Sequence, residues 1–159
     1  MDKKLEINQD RIALDEAYMQ MAEIWAKRSK AVRLQVGALL VNDGGVISDG
    51  YNGMPSGTPP EEEVCEYIDS ETGELRTKPQ VLHAEANSIL KLATEGRGSS
   101  KGATLYVKYS PCPECAKLIQ QAKIARVVYR HHYRLPKGVI ELEKNGIICD
   151  QLKNSNDQT

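Results

Sequence analysis

The sequence predicts an α/β fold, a mixed five-stranded sheet with helices on both faces. Three observations lead there. Stretches with apolar residues every three or four positions alternate with short apolar runs of strand length along most of the 159 residues. The turn sequence Asp43-Gly44-Gly45 separates two of those runs, which gives a hairpin and so an antiparallel pair. Beyond it, helical and strand-like segments alternate, the pattern of a sheet with covering helices. No internal repeat is visible, and the length suits one domain over residues 1–159 with a sizeable core.

The elements follow in order. From Ile12 to about Val32, Leu14, Ala17, Tyr18, Met21, Ile24 and Trp25 recur at three and four, predicting a first helix with these residues along one side. Gln35–Asn42 (QVGALLVN) reads as a buried strand and Val46–Asn52 (VISDGYN) as its return. Gly53–Gln80 is rich in Pro, Gly and acid and exceeds the usual loop length, as lids and disordered inserts do. His83 opens a second helix with Ala86, Ile89, Leu90 and Ala93 on its apolar side and Gly96 as its stop. Ala103–Lys108 is a strand, and a third helix after Pro111 runs through Cys115, Leu118 and Ile119. Ala125–Arg130 is a strand, Gly138–Asn145 a helix and Ile147–Leu152 a last strand, followed by a frayed tail over 153–159.

Composition narrows the function classes. No apolar run of about 18 residues exists, so no membrane span is expected. The opening MDKKLEINQDR is polar and lacks the apolar centre of a secretory leader. Four cysteines in a chain of this length do not resemble a secreted disulfide scaffold, which points to a reducing cytosol. A net charge of −1 argues against a nucleic-acid partner, and leaves a small anionic ligand open.

The chemistry concentrates in Ser110–Cys115 (SPCPEC). Two cysteines at this spacing suit a redox pair, half of a disulfide or a metal clasp. The discriminator is LHAEAN upstream. His83 at another helix start supplies an imidazole, and with the thiolates of Cys112 and Cys115 it makes three donors for tetrahedral zinc. Three protein donors leave a fourth position open, as in catalytic rather than structural sites. His131 and His132 remain candidates to close the site. Glu85, two residues from His83, is a residue a structural site does not need. It is placed to hold a proton beside the metal; its plain alternative is a helix-start acid favoured by the dipole. The third helix's N-terminus lowers the thiol pKa values, Pro111 has no N–H to lose there, and the Ser110 carbonyl is positioned to accept from an amino group.

His83 and Glu85 followed by Pro111, Cys112 and Cys115 match the signature H-x-E…P-C-x-x-C of zinc nucleobase deaminases. Further stretches, RSK at Arg28–Lys30, QVGALLVN, GYNGMP at Gly50–Pro55, HAEANSI at His83–Ile89 and CPECAKLIQQAKI at Cys112–Ile124, closely resemble the deoxycytidylate (dCMP) deaminase family. The resemblance covers roughly Arg11 to Leu152. It implies a three-layer cytidine deaminase-like fold and the reaction dCMP + water → dUMP + ammonia, which supplies dUMP for thymidylate synthesis. It implies zinc on His83, Cys112 and Cys115, with Glu85 moving a proton from water to the base N3 and to the leaving amine. It also implies that the Ala84 N–H binds the base carbonyl and the Ser110 carbonyl the amine.

Asn52 aligns with a sugar contact, against a plain turn role; Tyr133 borders the base or phosphate, against edge packing. The cations available for phosphate are Arg28, Lys30 and Arg33 on one side, with Arg28 and Lys30 taken as substrate-binding against a plain role as cations at a helix C-terminus, and Arg130 and Arg134 on the other. The resemblance further implies a hexamer activated by dCTP with Mg²⁺ and inhibited by dTTP. Asn42, Gly50, Tyr51, Asn52 and Gly53 match the effector segment, against a tight strand exit that only shapes the site. The long loop holds only Cys65, so a second zinc is not expected, and Cys149 reads as a buried strand residue. The rivals are a deaminase for another cytosine or adenine nucleoside or a nucleic acid, and a non-catalytic zinc or nucleotide-binding module.

Overall fold

The computed structural model describes residues 7–154; the expectations for the first six residues and for 155–159 of the tail lie outside the described residues. Helix α1 spans Leu14–Ala26, and strands β1 (Gly37–Asn42) and β2 (Gly45–Tyr51) form the expected hairpin. Strands β3 (Glu66–Ile68) and β4 (Leu75–Thr77) pair separately, before α2 (Ala84–Glu95), β5 (Thr104–Tyr109), α3 (Pro113–Gln121), β6 (Arg126–His131), α4 (Lys137–Lys144) and β7 (Ile148–Gln151). The main sheet runs β2-β1-β5-β6-β7. β1 is antiparallel to β2 and β5, while β5, β6 and β7 are parallel, so the sheet is mixed.

Alternation along the strands sends neighbours to opposite faces. Ala38, Leu40, Leu105, Val107, Val127 and Tyr129 pack under α2, α3 and α4 through Ala84, Ala116, Ile119 and Leu142. Leu39, Tyr106 and Val128 face the other way and meet Met19 and Ala22 of α1. One face thus carries three helices and the other carries one.

The first helix differs from expectation in length and in facing. It ends at Ala26, and Leu14, Met21 and Ile24 of the apolar side are 68%, 47% and 64% exposed. The docked side is Met19, Ala22 and Ala26, with Asp15, Glu16 and Glu23 beside them. Those acids explain the choice. Arg130 of β6 is 3% exposed and gives hydrogen bonds to Glu16 (2.7 and 2.9 Å) and Glu23 (2.7 Å). Arg126 pairs with Asp15 (2.8 Å) and Asp150 (2.8 Å), and the Tyr106 hydroxyl donates to Asp15 at 2.6 Å. A buried guanidinium without counter-charge is far costlier than a few exposed apolar side chains. The helix therefore turns its acids inward.

The stretch Gly53–Gln80 is also more ordered than a structureless loop. It holds a short 3₁₀ turn at Pro60–Glu62 and the β3–β4 hairpin, with Glu66 opposite Thr77. Glu66 is buried, and its carboxylate accepts from the N–H groups of Val32 (2.9 Å) and Arg33 (3.2 Å), tying the hairpin to the segment after α1.

Two glycines set how the site-bearing elements meet. A Cβ on Gly50 of β2 would stand 2.6 Å from the Ala84 carbonyl oxygen and 2.6 Å from the Ser88 nitrogen, so only glycine lets the first turns of α2 lie on β2. A Cβ on Gly138 would stand 2.1 Å from the Pro111 carbonyl oxygen, so α4 touches the backbone just before Cys112.

Candidate active site

The site grows from two helix starts. His83 is the N-cap of α2 and Cys112 the N-cap of α3, both with extended backbone angles. Pro113, not Pro111, takes the first position of α3; Pro111 lies one residue before the cap, held against Gly138. The Cys112 Sγ accepts from the Cys115 N–H at 3.4 Å, the bond a capping side chain makes with an otherwise unpaired helix donor.

The His83 Nδ1 lies 3.5 Å from the Cys112 Sγ and 3.4 Å from the Cys115 Sγ. All three donor atoms fall within 4.8 Å of one another. Zinc bonds of about 2.3 Å to sulfur and 2.0–2.1 Å to nitrogen at the tetrahedral angle put such donors about 3.6 Å apart. The observed spacings fit that, and soft thiolate with imidazole is a zinc-type donor set. The Cys112 thiol is held down to about 4, chiefly by the hydrogen bond from Cys115 and next by His83. Cys115 is pushed up as the donor of that bond, and His83 rises because Cys112 stabilises its charged form. The pair therefore keeps one thiolate ready. Neither His131 nor His132 joins the group: His131 packs tilted against Tyr109 and His132 edge-on against Tyr129, each at 5.3 Å between ring centroids.

Glu85 sits in the first turn of α2, 5% exposed, and burial pushes its carboxyl above the ordinary carboxylate value. Ala84, between His83 and Glu85, occupies a first-turn position whose N–H has no partner within the helix. Both border a cavity of about 510 Å³, the size range of small-molecule sites. His83, Ser110 and Cys112 line it too. Ser110 is fixed from both sides: its N–H donates to the His131 carbonyl at 2.8 Å and its Oγ accepts from the Tyr133 N–H at 2.6 Å.

Asn52 also lines the cavity, while its side chain bridges the segment before β1, accepting from Val36 N–H (2.9 Å) and donating to the Leu34 carbonyl (2.7 Å). Tyr133 and Arg134 reach the wall together, with the Arg134 guanidinium 5.9 Å from the Tyr133 ring centre. Arg33 lines the cavity as well.

The other cations lie elsewhere. Arg28 and Lys30 are exposed and do not border this cavity; Lys30 pairs with Glu63 beside the hairpin. Arg130 does not border the cavity either: its guanidinium is taken up by Glu16 and Glu23 of α1 and is not a phosphate cation. The residues matched to an effector segment do not form one cluster. Asn42 sits at the hairpin turn opposite Gly45, and its amide donates to the carbonyls of Ser99 and Lys101. Gly50 and Tyr51 stand at the other end of the same ladder, roughly 15 Å away at strand rise. There Gly50 packs on α2, the Tyr51 carbonyl accepts from Asn87, and Gly53 bridges Leu82. Cys65 is buried without a metal-binding cluster around it among the described residues, and Cys149 is half-buried on β7. Thr77, Val81 and Tyr109 line the cavity without having stood out in the sequence.

An α/β sandwich that joins two helix starts into a zinc-type donor set, with a buried carboxylate beside it, defines the class of zinc-binding deaminase domains. The sequence profile described as the cytidine and deoxycytidylate deaminase zinc-binding region matches residues 12–131. The chain belongs to that family. It is 39% identical over 122 residues to human deoxycytidylate deaminase, a match covering 76% of this chain and 66% of the human protein, just under two thirds of its length. It is 34% identical over 146 residues to ComE operon protein 2 of Bacillus subtilis, covering 91% and 74%. The solved dCMP deaminase of cyanophage S-TIM5, in complex with dCMP and dUMP, superposes with a TM-score of 0.77 at 36% identity, covering 89% of this chain and all of that one.

Proposed function

We propose that the chain hydrolyses dCMP to dUMP and ammonia. One observation carries this most: a buried carboxylate, Glu85, stands beside three zinc-type donors, two of which line a nucleotide-sized cavity that two arginines also line. Zinc supplies Lewis acidity, which lowers the pKa of a water from about 15.7 to about 7. His83, Cys112 and Cys115 would hold it. Glu85 takes the proton that the attacking water gives up, passes it to N3 of the cytosine, then takes the second proton from the hydroxyl now on C4 and delivers it to the departing amine. Water's oxygen ends on C4, the C4–N bond breaks, and ammonia leaves. The unpaired Ala84 N–H orients the base carbonyl, and the Ser110 carbonyl, held by the contacts of its own N–H and Oγ, accepts from the amine.

Asn52 spends one lone pair and one hydrogen on the 34–36 segment, leaving one of each for the sugar. Arg33 and Arg134 are the cations that reach the cavity, and they meet the phosphate. The same reading makes the chain one working domain in the cytosol. It also includes hexameric assembly, with activation by dCTP and Mg²⁺ and inhibition by dTTP. The separation of Asn42 from Gly50–Gly53 limits a single-chain effector site to the latter segment.

Turnover of dCMP, deoxycytidine and single-stranded DNA tests the substrate. A clear preference for dCMP is expected, and equal or better use of the unphosphorylated nucleoside overturns the reading. Adding dCTP and dTTP to the dCMP assay tests regulation.

A further inference from the structure

Glu66 is a buried carboxylate on β3 that makes no ion pair among the described residues. Burying a charge is expensive unless it is well used. Here both hydrogen bonds go to the backbone N–H groups of Val32 and Arg33, at 2.9 and 3.2 Å. Thr77 stands opposite Glu66 in the hairpin register, and its hydroxyl accepts from the Arg33 Nη1 at 3.2 Å. One pair of facing residues thus grips Arg33 twice, by its backbone and by its guanidinium. Arg33 and Thr77 border the cavity, whereas Glu66 does not. A guanidinium has five N–H donors, so one bond to Thr77 leaves most of them for an anion.

We infer that the β3–β4 hairpin is a specificity element: through Glu66 and Thr77 it positions Arg33 to select a phosphorylated over an unphosphorylated nucleoside. This rests on the dCMP reading above. Glu66 is a positioning residue; it acts only through Arg33. The hairpin's role is then more than bracing, since bracing alone would serve both kinds of substrate alike.

The test is kcat/KM for dCMP and for deoxycytidine in the intact zinc-loaded protein, and their ratio. Glu66→Ala is expected to lower the dCMP value by about 10- to 100-fold, mostly through KM, because a misplacement near 1 Å can cost that much. The deoxycytidine value should stay within about twofold. Glu66→Gln keeps an acceptor oxygen and should restore most of the ratio. Arg33→Ala should abolish the preference, and Thr77→Val should lower it in part. An equal fall on both substrates in Glu66→Ala means a bracing role only and overturns the inference. If Glu66→Ala does not fold, Thr77→Val decides, and an unchanged ratio there overturns it. A wild-type protein with no preference for dCMP removes the substrate reading and the inference together. A preference lost in Arg33→Ala but kept in the hairpin variants leaves the substrate reading standing and removes only the inference.

Discussion

Glu85 shows why residue identity and spacing revealed so much of the candidate site. Imidazole, carboxylate and thiols must meet at helix starts, and each helix start is a local event written in a few residues: His83 capping α2, Cys112 capping α3 with Pro113 after it. Such signals are legible without knowing the rest of the chain. Thr77 and Tyr109 gave none, because their importance comes from where distant segments pack and not from their neighbours. The sequence put Arg28 and Lys30 ahead of Arg33 for the same reason, yet it is Arg33, bonded to Thr77 of the hairpin, that lines the cavity. At this scale the decisive variant is Glu85→Gln. It is close to isosteric and cannot take a proton, so turnover of dCMP should fall by about 10²–10⁴-fold, the usual worth of a general acid–base group. Metal analysis should show stoichiometric zinc retained. Undiminished turnover would falsify the proton-carrying role.

Between elements, the close contacts matter more than the periodicities. The mixed sheet could be read from the Asp43–Gly45 turn and the alternation that follows it. The docked face of α1 could not, because counting apolar residues ignores the acids that two arginines of β6 require. The β3–β4 hairpin was hidden because its strands have three residues each, too short for any periodicity to register. Gly138 yields a test at this scale. Alanine in a helix gains about 0.5–1 kcal/mol over glycine. Here that gain is opposed by a backbone oxygen 2.1 Å from the new Cβ, which cannot swing away as a side chain would. Overpacking of this kind costs about 1–3 kcal/mol, so Gly138→Ala should lower the melting temperature. It should also weaken zinc retention against a chromogenic chelator, since the displaced atoms are those of Pro111 and Cys112. A variant as stable and as metal-retentive as the parent would show that α4 does not support the loop.

Across the whole molecule, the ion pairs between α1 and the sheet set the response to acid. The Arg126 hydrogen bond holds Asp15 below its ordinary value of 3.8, and Arg130 holds Glu16 below its ordinary 4.5. A carboxyl with a depressed folded-state pKa adds stability that is complete above its unfolded pKa. That stability is lost as pH falls toward and through the folded value. The melting temperature should therefore drop as pH is lowered from about 5 to 3, the range in which such carboxylates titrate. In the double variant Asp15→Asn, Glu16→Gln the drop over that range should be shallower, from a lower starting point at neutral pH. An equal slope in both proteins would place the acid sensitivity elsewhere. The same contacts also decide how α1 may seat. Glu16 and Glu23 are seven residues apart, two helical turns, and both serve Arg130. Were α1 to slide by one turn, Gln20 and Lys27 would take their places, setting an ammonium against a guanidinium that has no water to share it. Slid the other way, Ile12 and Met19 would leave the arginine with no counter-charge at all. A greasy helix on a greasy sheet could settle in several registers; this one is indexed by charge and has a single seat.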